Sequence, residues 1–346
     1  MTAAPQDRLP LAVTMGEPAG IGGEIALKAW MARVGAARRG DGVPPFVLLD
    51  DPDRLRALAS RIGLSVPVRA VGSAGEAVGV FDDALPVLPL ALAAPVVPGR
   101  PDPANGAAVI ASIDRAVDLV CDGQAAAVVT NPIQKSALYA AGFRHPGHTE
   151  YLAHLAGLTS EPVMMLAARD LRVVPVTIHV SLRDAVNQLT TEAIVHAGRV
   201  TAAGLARDFG IEKPRLAVAA LNPHAGEDGT MGREEIDIIA PAVAALRAEG
   251  IDAAGPRPSD TLFHAAARGT FDAALCMYHD QALIPLKTID FDTGVNITLG
   301  LPFVRTSPDH GTALDIAGTG KAGASSLIEA MKTADLMARI RASRPA

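Results

Sequence analysis

The sequence predicts an α/β protein with a largely parallel sheet. Three observations predict it: short apolar runs bounded by Gly, Pro or Asp, longer segments of helical period, and alternation of the two along 346 residues. At roughly 150 residues per domain, that length also implies two lobes. Leu11–Met15, Phe46–Leu49, Ala126–Thr130, Val173–Ile178, Leu216–Leu221 and Ala273–Tyr278 read as buried strands. Ile21–Ala37, Ala107–Val120, Glu192–Asp208 and Glu234–Arg247 read as helices, and Pro241 should kink the last or divide it in two. Leu85–Asn105 is proline-rich without regular period, and reads as an edge excursion or a connection between lobes. No internal repeat or low-complexity tail is present, so the lobes should share one continuous sheet or be wound together.

Composition removes several function classes. Hydrophobic residues at 49% and charged residues at 20% exclude a disordered chain. One Trp, three Tyr and eight Phe leave little surface for stacking bases, and a net charge of −6 disfavours a nucleic-acid backbone as partner. Cys121 and Cys276 stand far apart and form no CxxC, which fits a reducing cytosol. Met1–Pro10 has no apolar signal core. The most apolar stretch, Leu85–Pro98, is broken by Pro86, Pro89, Pro95 and Pro98 and cannot span a membrane. The expectation is a soluble, cytoplasmic protein with neither nucleic acid nor membrane as partner.

Nine histidines stand out against this background. In open α/β sheets ligands bind outside the carboxyl ends of strands, and three histidines follow predicted strands there: His179 after Val173–Ile178, His224 after Leu216–Leu221, and His279 after Ala273–Tyr278. Three imidazoles on neighbouring strand ends can converge on one divalent cation and leave positions open for substrate. Each alone can equally be a hydrogen-bonded loop residue. His154, His196 and His264 fall in predicted helices and His145 in a loop, with no chemistry assigned.

Two further segments concentrate reactive groups. Pro146-Gly147-His148-Thr149-Glu150 opens a predicted helix, where free N–H groups favour an anion, although a plain capping loop looks the same. Lys287, Asn296 and Arg305 supply two cations and an amide suited to a phosphate or carboxylate, although surface Lys and Arg are common. Gly318-Thr319-Gly320-Lys321 imitates the end of a P-loop, but Asp315 replaces its first Gly and Ala322 its Ser or Thr. Gly16 to Gly23 is glycine-rich without spelling GxGxxG, and Asn296-Ile297-Thr298 matches a glycosylation acceptor that a cytosolic chain would not use.

Together, Thr14-Met15-Gly16-Glu17-Pro18-Ala19-Gly20-Ile21-Gly22, Pro146 to Glu150, Leu221-Asn222-Pro223-His224-Ala225-Gly226-Glu227, Met277-Tyr278-His279-Asp280-Gln281 and Val295 to Arg305 resemble the 4-hydroxythreonine-4-phosphate dehydrogenases of pyridoxal phosphate biosynthesis. The resemblance runs from near the N-terminus to Ala322. Asp309 to Gly318 is also similar to the NAD loop of isocitrate and isopropylmalate dehydrogenases, which lack a Rossmann fingerprint. The resemblance implies their two-lobed fold, with lobe one at 1–140 plus 306–346, lobe two at 141–305, and the active site in the interlobe cleft at a dimer interface. It implies a divalent metal (zinc, cobalt, magnesium or manganese) held by His179, His224 and His279, one donated by the partner subunit of a homodimer. It implies substrate contacts at His148, Thr149, Lys287, Asn296 and Arg305, and NAD or NADP contacts at His310, Gly311 and Asp315. Asp260, Asp280 and Lys287 are candidates for orienting ligands or moving protons, and Asp260 or Asp280 can instead be a helix cap. Glu17 stands where many relatives carry Asp and keeps the carboxylate.

The implied reaction is NAD-dependent oxidation of 4-phosphohydroxy-L-threonine to a β-keto acid that loses carbon dioxide. The same apparatus serves dehydrogenases of erythronate or threonate 4-phosphate and of aromatic dihydrodiols. A different class, the phosphate acetyltransferase-like acyltransferases, needs neither metal nor NAD, and a non-catalytic scaffold would have no use for histidines beside an anion-binding set.

Overall fold

A computed structural model describes residues 8–37 and 42–344; of Met1–Pro10, read above as lacking a signal core, the first seven lie outside them. The chain forms two compact units, Met1–Ser160 with Leu301–Arg339 and Glu161–Gly300 with Ile340–Ala346.

In chain order the first unit runs β1 (Leu11–Thr14), α1 (Gly22–Ala37), β2 (Phe46–Asp50), α2 (Pro52–Arg61), β3 (Val68–Ala70), α3 (Ala74–Val80), β4 (Leu85–Pro89), α4 (Gly106–Cys121), β5 (Val128–Val129), α5 (Lys135–Ala140) and α6 (His148–Leu155). The second contributes β6 (Val163–Ala168), β7 (Leu171–Pro175), α7 (Leu182–Gln188), α8 (Thr191–Phe209), β8 (Arg215–Ala219), α9 (Ala240–Ala248), β9 (Asp252–Arg257), α10 (Ser259–Leu262), α11 (Ala265–Arg268), β10 (Ala273–Cys276), α12 (His279–Ile289) and β11 (Val295–Leu299). The chain then returns through β12 (Arg305–Pro308) and closes with α13 (Ser325–Ala342).

The first unit's strands all pair in parallel, in the order β3-β4-β2-β1-β5-β12. β1, β2 and β4 are buried almost throughout, which is why their sequences are continuous apolar runs rather than alternating ones. The second unit orders its strands β11-β6-β7-β10-β8-β9, with β6 antiparallel to both neighbours and the rest parallel. The protein is therefore mixed α/β with mostly parallel pairing.

Several expectations shift. The proline-rich Leu85–Asn105 is neither a connection between lobes nor all irregular: Leu85–Pro89 is a strand lying between β3 and β2 within the first unit. The helix expected over Glu234–Arg247 is divided ahead of Pro241, with a π turn over Glu235–Ile239 leading into α9. β7, β8 and β10 end at Pro175, Ala219 and Cys276, two or three residues short of expectation, because the residues beyond them turn into loops or, at Tyr278, cap a helix. His264 caps α11 rather than lying inside a helix. No described helix is long and apolar enough to cross a membrane.

Candidate active site

In the first unit the strand order reverses at β1: the chain leaves through α1 to β2 on one side, and β5 and β12 lie on the other. The crevice outside the carboxyl ends of β1 and β5 is therefore the topological switch point where such sheets bind ligands. The Gly16–Gly22 loop and the Thr130–Lys135 segment meet there. Gly16 (φ +67) lies so close that a β-carbon would stand 2.6 Å from the Pro132 carbonyl, so only glycine is accommodated. Asn131 fixes the pairing, donating its backbone N–H to the Thr14 hydroxyl oxygen (3.1 Å) and its side-chain amide to the Thr14 carbonyl (2.9 Å). Glu17 is buried and accepts from the Ala19 N–H at 3.0 Å; burial raises its pKa.

The predicted anion set is partly gathered here. Arg305 begins β12, is only 4% exposed, and donates to the Thr130 hydroxyl from Nε (3.2 Å) and Nη2 (2.6 Å). Burial lowers its pKa to about 10, so it remains a cation at neutral pH. His148 and Thr149 open α6, whose N-cap is Gly147 and whose first turn has no side-chain cap. The His148 Nε2 atom is buried without a hydrogen-bond partner, and burial, then Arg305, then Lys135 hold the imidazole well below its usual pKa. A neutral imidazole with one unused nitrogen can serve an anion as donor.

The Asp309–Gly318 segment docks on the same loops. Ile21 donates its N–H to the Thr312 carbonyl at 3.1 Å, and the Thr312 hydroxyl donates to Gln134 at 3.3 Å. His310 Nδ1 lies 3.0 Å from the Gly311 carbonyl, while its Nε2 is buried and unpartnered; Gly311 and Asp315 are exposed. Beyond the segment, Glu24 of α1 accepts from the Ala322 N–H (2.9 Å) and from Lys28 (3.0 Å), and Lys28 also donates to the Gly320 carbonyl (2.8 Å). The residues that imitate a P-loop are thus a clamped turn. A cavity of about 580 Å³ opens between Pro18, Arg54, Arg61, Pro95, Pro98 and Gly318, within the usual range for small-ligand sites. Arg54 forms its wall, forking onto the buried Asp50 (2.5 and 3.0 Å) and donating to the Pro18 carbonyl at 2.9 Å.

The second unit holds the three histidines. β10 pairs in parallel with β7 on one side and β8 on the other, so the segments leading to His179, His224 and His279 leave adjacent strand ends. The Thr177 hydroxyl donates to the Met277 carbonyl at 2.8 Å, tying the His179 segment to the His279 segment, and the two imidazoles lie with centroids 5.7 Å apart. His279 Nδ1 is 2.7 Å from Asp280 Oδ1, a contact that fixes the ring. Asp280 therefore orients a histidine. Asp260 sits exposed in α10 and makes no bond to these rings among the described residues.

His224 begins a left-handed turn: His224, Ala225, Glu227 and Asp228 have φ between +41 and +55. His179 has φ +49. Left-handed backbone costs roughly 1–2 kcal/mol per non-glycine residue and concentrates at functional sites. The buried Glu235 holds the turn, accepting from the N–H groups of Leu221 (2.8 Å) and Asn222 (2.7 Å) and from the Asn222 amide (2.9 Å). Gln281, also buried, accepts from the Met277 N–H (2.6 Å) and donates to the Ala220 carbonyl (2.6 Å) and Ser259 (2.8 Å), locking the ends of β8 and β10 together. No group of three or more His, Cys, Asp or Glu is close enough to hold a metal among the described residues of one chain. Two adjacent imidazoles, one oriented by a carboxylate, are nonetheless donors that fit a divalent cation. Lys287 lies two turns along α12, its ammonium 5.1 Å over the Phe291 ring, and Asn296 in β11 has a buried, unpartnered Oδ1.

Sequence reasoning did not single out Glu235, Gln281 or Lys135. Gln281 lay inside a quoted motif, and Lys135 carried one usable signal, a lysine just beyond a buried strand.

The family described as pyridoxal phosphate biosynthetic protein PdxA matches residues 43–334. The chain is 58% identical over 339 residues to the 4-hydroxythreonine-4-phosphate dehydrogenase of Methylorubrum populi, covering 96% of this chain and 95% of the relative. The crystal structure of the 4-hydroxythreonine-4-phosphate dehydrogenase from Klebsiella pneumoniae matches with a TM-score of 0.84 at 39% identity, over 96% of this chain and 98% of that one. A terephthalate 1,2-cis-dihydrodiol dehydrogenase from Burkholderia xenovorans matches with a TM-score of 0.62 at 30% identity, over 95% and 98%.

Proposed function

Because the chain belongs to the pyridoxal phosphate biosynthetic protein PdxA family, we propose that it is a 4-hydroxythreonine-4-phosphate dehydrogenase. It oxidises 4-phosphohydroxy-L-threonine to 2-amino-3-oxo-4-phosphooxybutanoate, which loses carbon dioxide to give 3-amino-2-oxopropyl phosphate. The observation that carries this reading is the pair of imidazoles, His179 and His279, 5.7 Å apart beyond adjacent parallel strands, with the strained His224 turn beyond the third.

His179, His224 and His279 would hold the divalent cation, zinc, cobalt, magnesium or manganese, whose Lewis acidity would make the substrate's secondary hydroxyl more acidic, while NAD or NADP would supply the two-electron acceptor. Asp280 keeps His279 in one tautomer, and Glu235 and Gln281 keep the loops in register. His148, Thr149, Lys287, Asn296 and Arg305 take the substrate's anionic and polar groups. His310, Gly311 and Asp315 belong to the cofactor's segment, and the cavity lined by Pro18, Arg54 and Gly318 is large enough for part of a dinucleotide.

The homodimer belongs to the same reading. Val180, Leu182, Met231, Ile236, Ile284 and Phe291 leave apolar side chains exposed on the second unit, close in sequence to the three histidines, and a partner that covers them and contributes one ligand accounts for both. The reading also places the enzyme in the cytoplasm.

Steady-state turnover of 4-phosphohydroxythreonine against erythronate and threonate 4-phosphates and an aromatic dihydrodiol tests the substrate. The first should have the highest kcat/KM, and exhaustive chelation should abolish turnover. Preference for a sugar-acid phosphate or dihydrodiol would replace the substrate, and acyl transfer indifferent to chelation would replace the reaction class.

A further inference from the structure

We propose that Lys135 is a substrate-binding residue, the second cation of a phosphate subsite formed with Arg305, His148 and the amino end of α6; the inference rests on the reaction proposed above.

Lys135 is exposed at the start of α5, just beyond the switch-point loop, and it has no hydrogen bond or ion pair among the described residues. Its position is nevertheless defined. A β-carbon built on Gly147 would stand 3.7 Å from the Lys135 Nζ, so the ammonium lies against the backbone of the α6 N-cap. At that cap no side chain takes up the first-turn N–H groups, which point outward along the helix axis with the positive end of its dipole. The adjacent His148 Nε2 is buried and unpartnered. Arg305 and Lys135 both lie near enough to the His148 imidazole to lower its basicity, after burial, which contributes most.

Two cations, a neutral imidazole and free amides are more donors than a two-oxygen carboxylate uses. A phosphate dianion presents three oxygens and roughly twice the charge, and each charge-assisted bond to it is stronger than a neutral one. Glu150, also near the cap, tempers the cations without closing the site: its Oε2 would lie 3.3 Å from a Gly147 β-carbon, and the carboxylate is exposed. Glycine at 147 keeps the approach to the amides clear.

The test compares wild type, Lys135→Ala and Lys135→Arg in three measurements on the intact protein: turnover of 4-phosphohydroxythreonine, turnover of unphosphorylated 4-hydroxythreonine, and calorimetric binding of inorganic phosphate. Lys135→Ala should raise KM for the phosphorylated substrate about 10- to 100-fold, the worth of one charge-assisted hydrogen bond, with kcat within about threefold. Its Kd for inorganic phosphate should rise by a similar factor, Lys135→Arg should recover most of the loss, and the unphosphorylated substrate should be unaffected. Unchanged phosphate affinity in Lys135→Ala overturns the proposal. An equal penalty on both substrates, or a fall in kcat alone, does so as well. Phosphate binding needs no turnover, so a protein that binds phosphate through Lys135 but does not oxidise 4-phosphohydroxythreonine refutes the proposed reaction and leaves the subsite standing. Unchanged thermal unfolding of Lys135→Ala separates lost binding from lost folding.

Discussion

The proposed anion-binding end of the first unit and the histidine end of the second are built on opposite terms. Arg305 and the His148 Nε2 are buried, and the loops around them are stitched by backbone and amide bonds. His179 and His224 are exposed, stand on left-handed backbone, and depend on Glu235 and Gln281 behind them. The first end is preorganised by burial. The second is held in a costly conformation by a supporting layer, an arrangement expected where a bound ion returns the free energy stored.

Removing a ligand should break the second end most severely. His279→Ala is expected to lower kcat/KM on the order of 10³-fold or more together with bound metal, as measured by turnover and elemental analysis. Undiminished turnover and metal content would show that the exposed imidazoles do no chemistry.

A subtler change should separate ligand from support. Glu235→Gln keeps Oε1 as the acceptor for both backbone N–H groups but turns an amide NH₂ toward that of Asn222, donor against donor. Stability should fall by about 1–3 kcal/mol, and metal affinity by roughly tenfold, with His179 and His279 untouched. Isothermal metal titration beside chemical denaturation checks both; loss of stability without loss of affinity would mean that the turn needs no precise shape.

The first end should announce itself through pH. The folded His148 resists protonation, whereas an unfolded imidazole takes up a proton near 6.5. Below that value the unfolded state binds more protons, so stability should decline as pH falls through 6.5 toward the lower folded value, and be flat in this respect above it. His148→Asn should remove this component. Urea midpoints at about pH 7.5 and 5.5 read the difference, and an unaltered slope in the variant would remove His148 as its origin.

The smallest effect concerns the strain itself. Ala225 has φ +55, and Ala225→Gly should stabilise by up to about 0.5 kcal/mol, because relief of left-handed strain slightly exceeds glycine's greater unfolded entropy. Thermal unfolding detects it, and a destabilised variant would show that the methyl group's packing outweighs the strain.

Much of this organisation is legible in the sequence where burial writes it locally. β1, β2 and β10 are apolar on both faces and read as strands at once. β4 escaped because Pro86 and Pro89 mask its period, although its remaining residues are buried between two neighbours. β12 escaped because it begins with a buried arginine, which hydropathy reads as surface. Glu235 and Gln281 could not be found from spacing: apart from Met277, four residues before Gln281, their partners lie 13 to 61 residues away and meet them only in the folded chain. The histidines were visible because their chemistry is rare, whereas the groups that aim them are common residue types.

The return of the chain through β12 bears on how the protein is made. β12 pairs with β5, and the Thr306 hydroxyl donates to the Ala330 carbonyl in α13. A nascent chain leaving the ribosome thus carries the first unit with an open β5 edge until residues beyond 300 emerge, while the second unit's strands are already complete. The order of synthesis and the order of completion are reversed. An expressed fragment ending near Ser160 would expose that edge to self-association, so the first unit is best produced with its C-terminal segment attached.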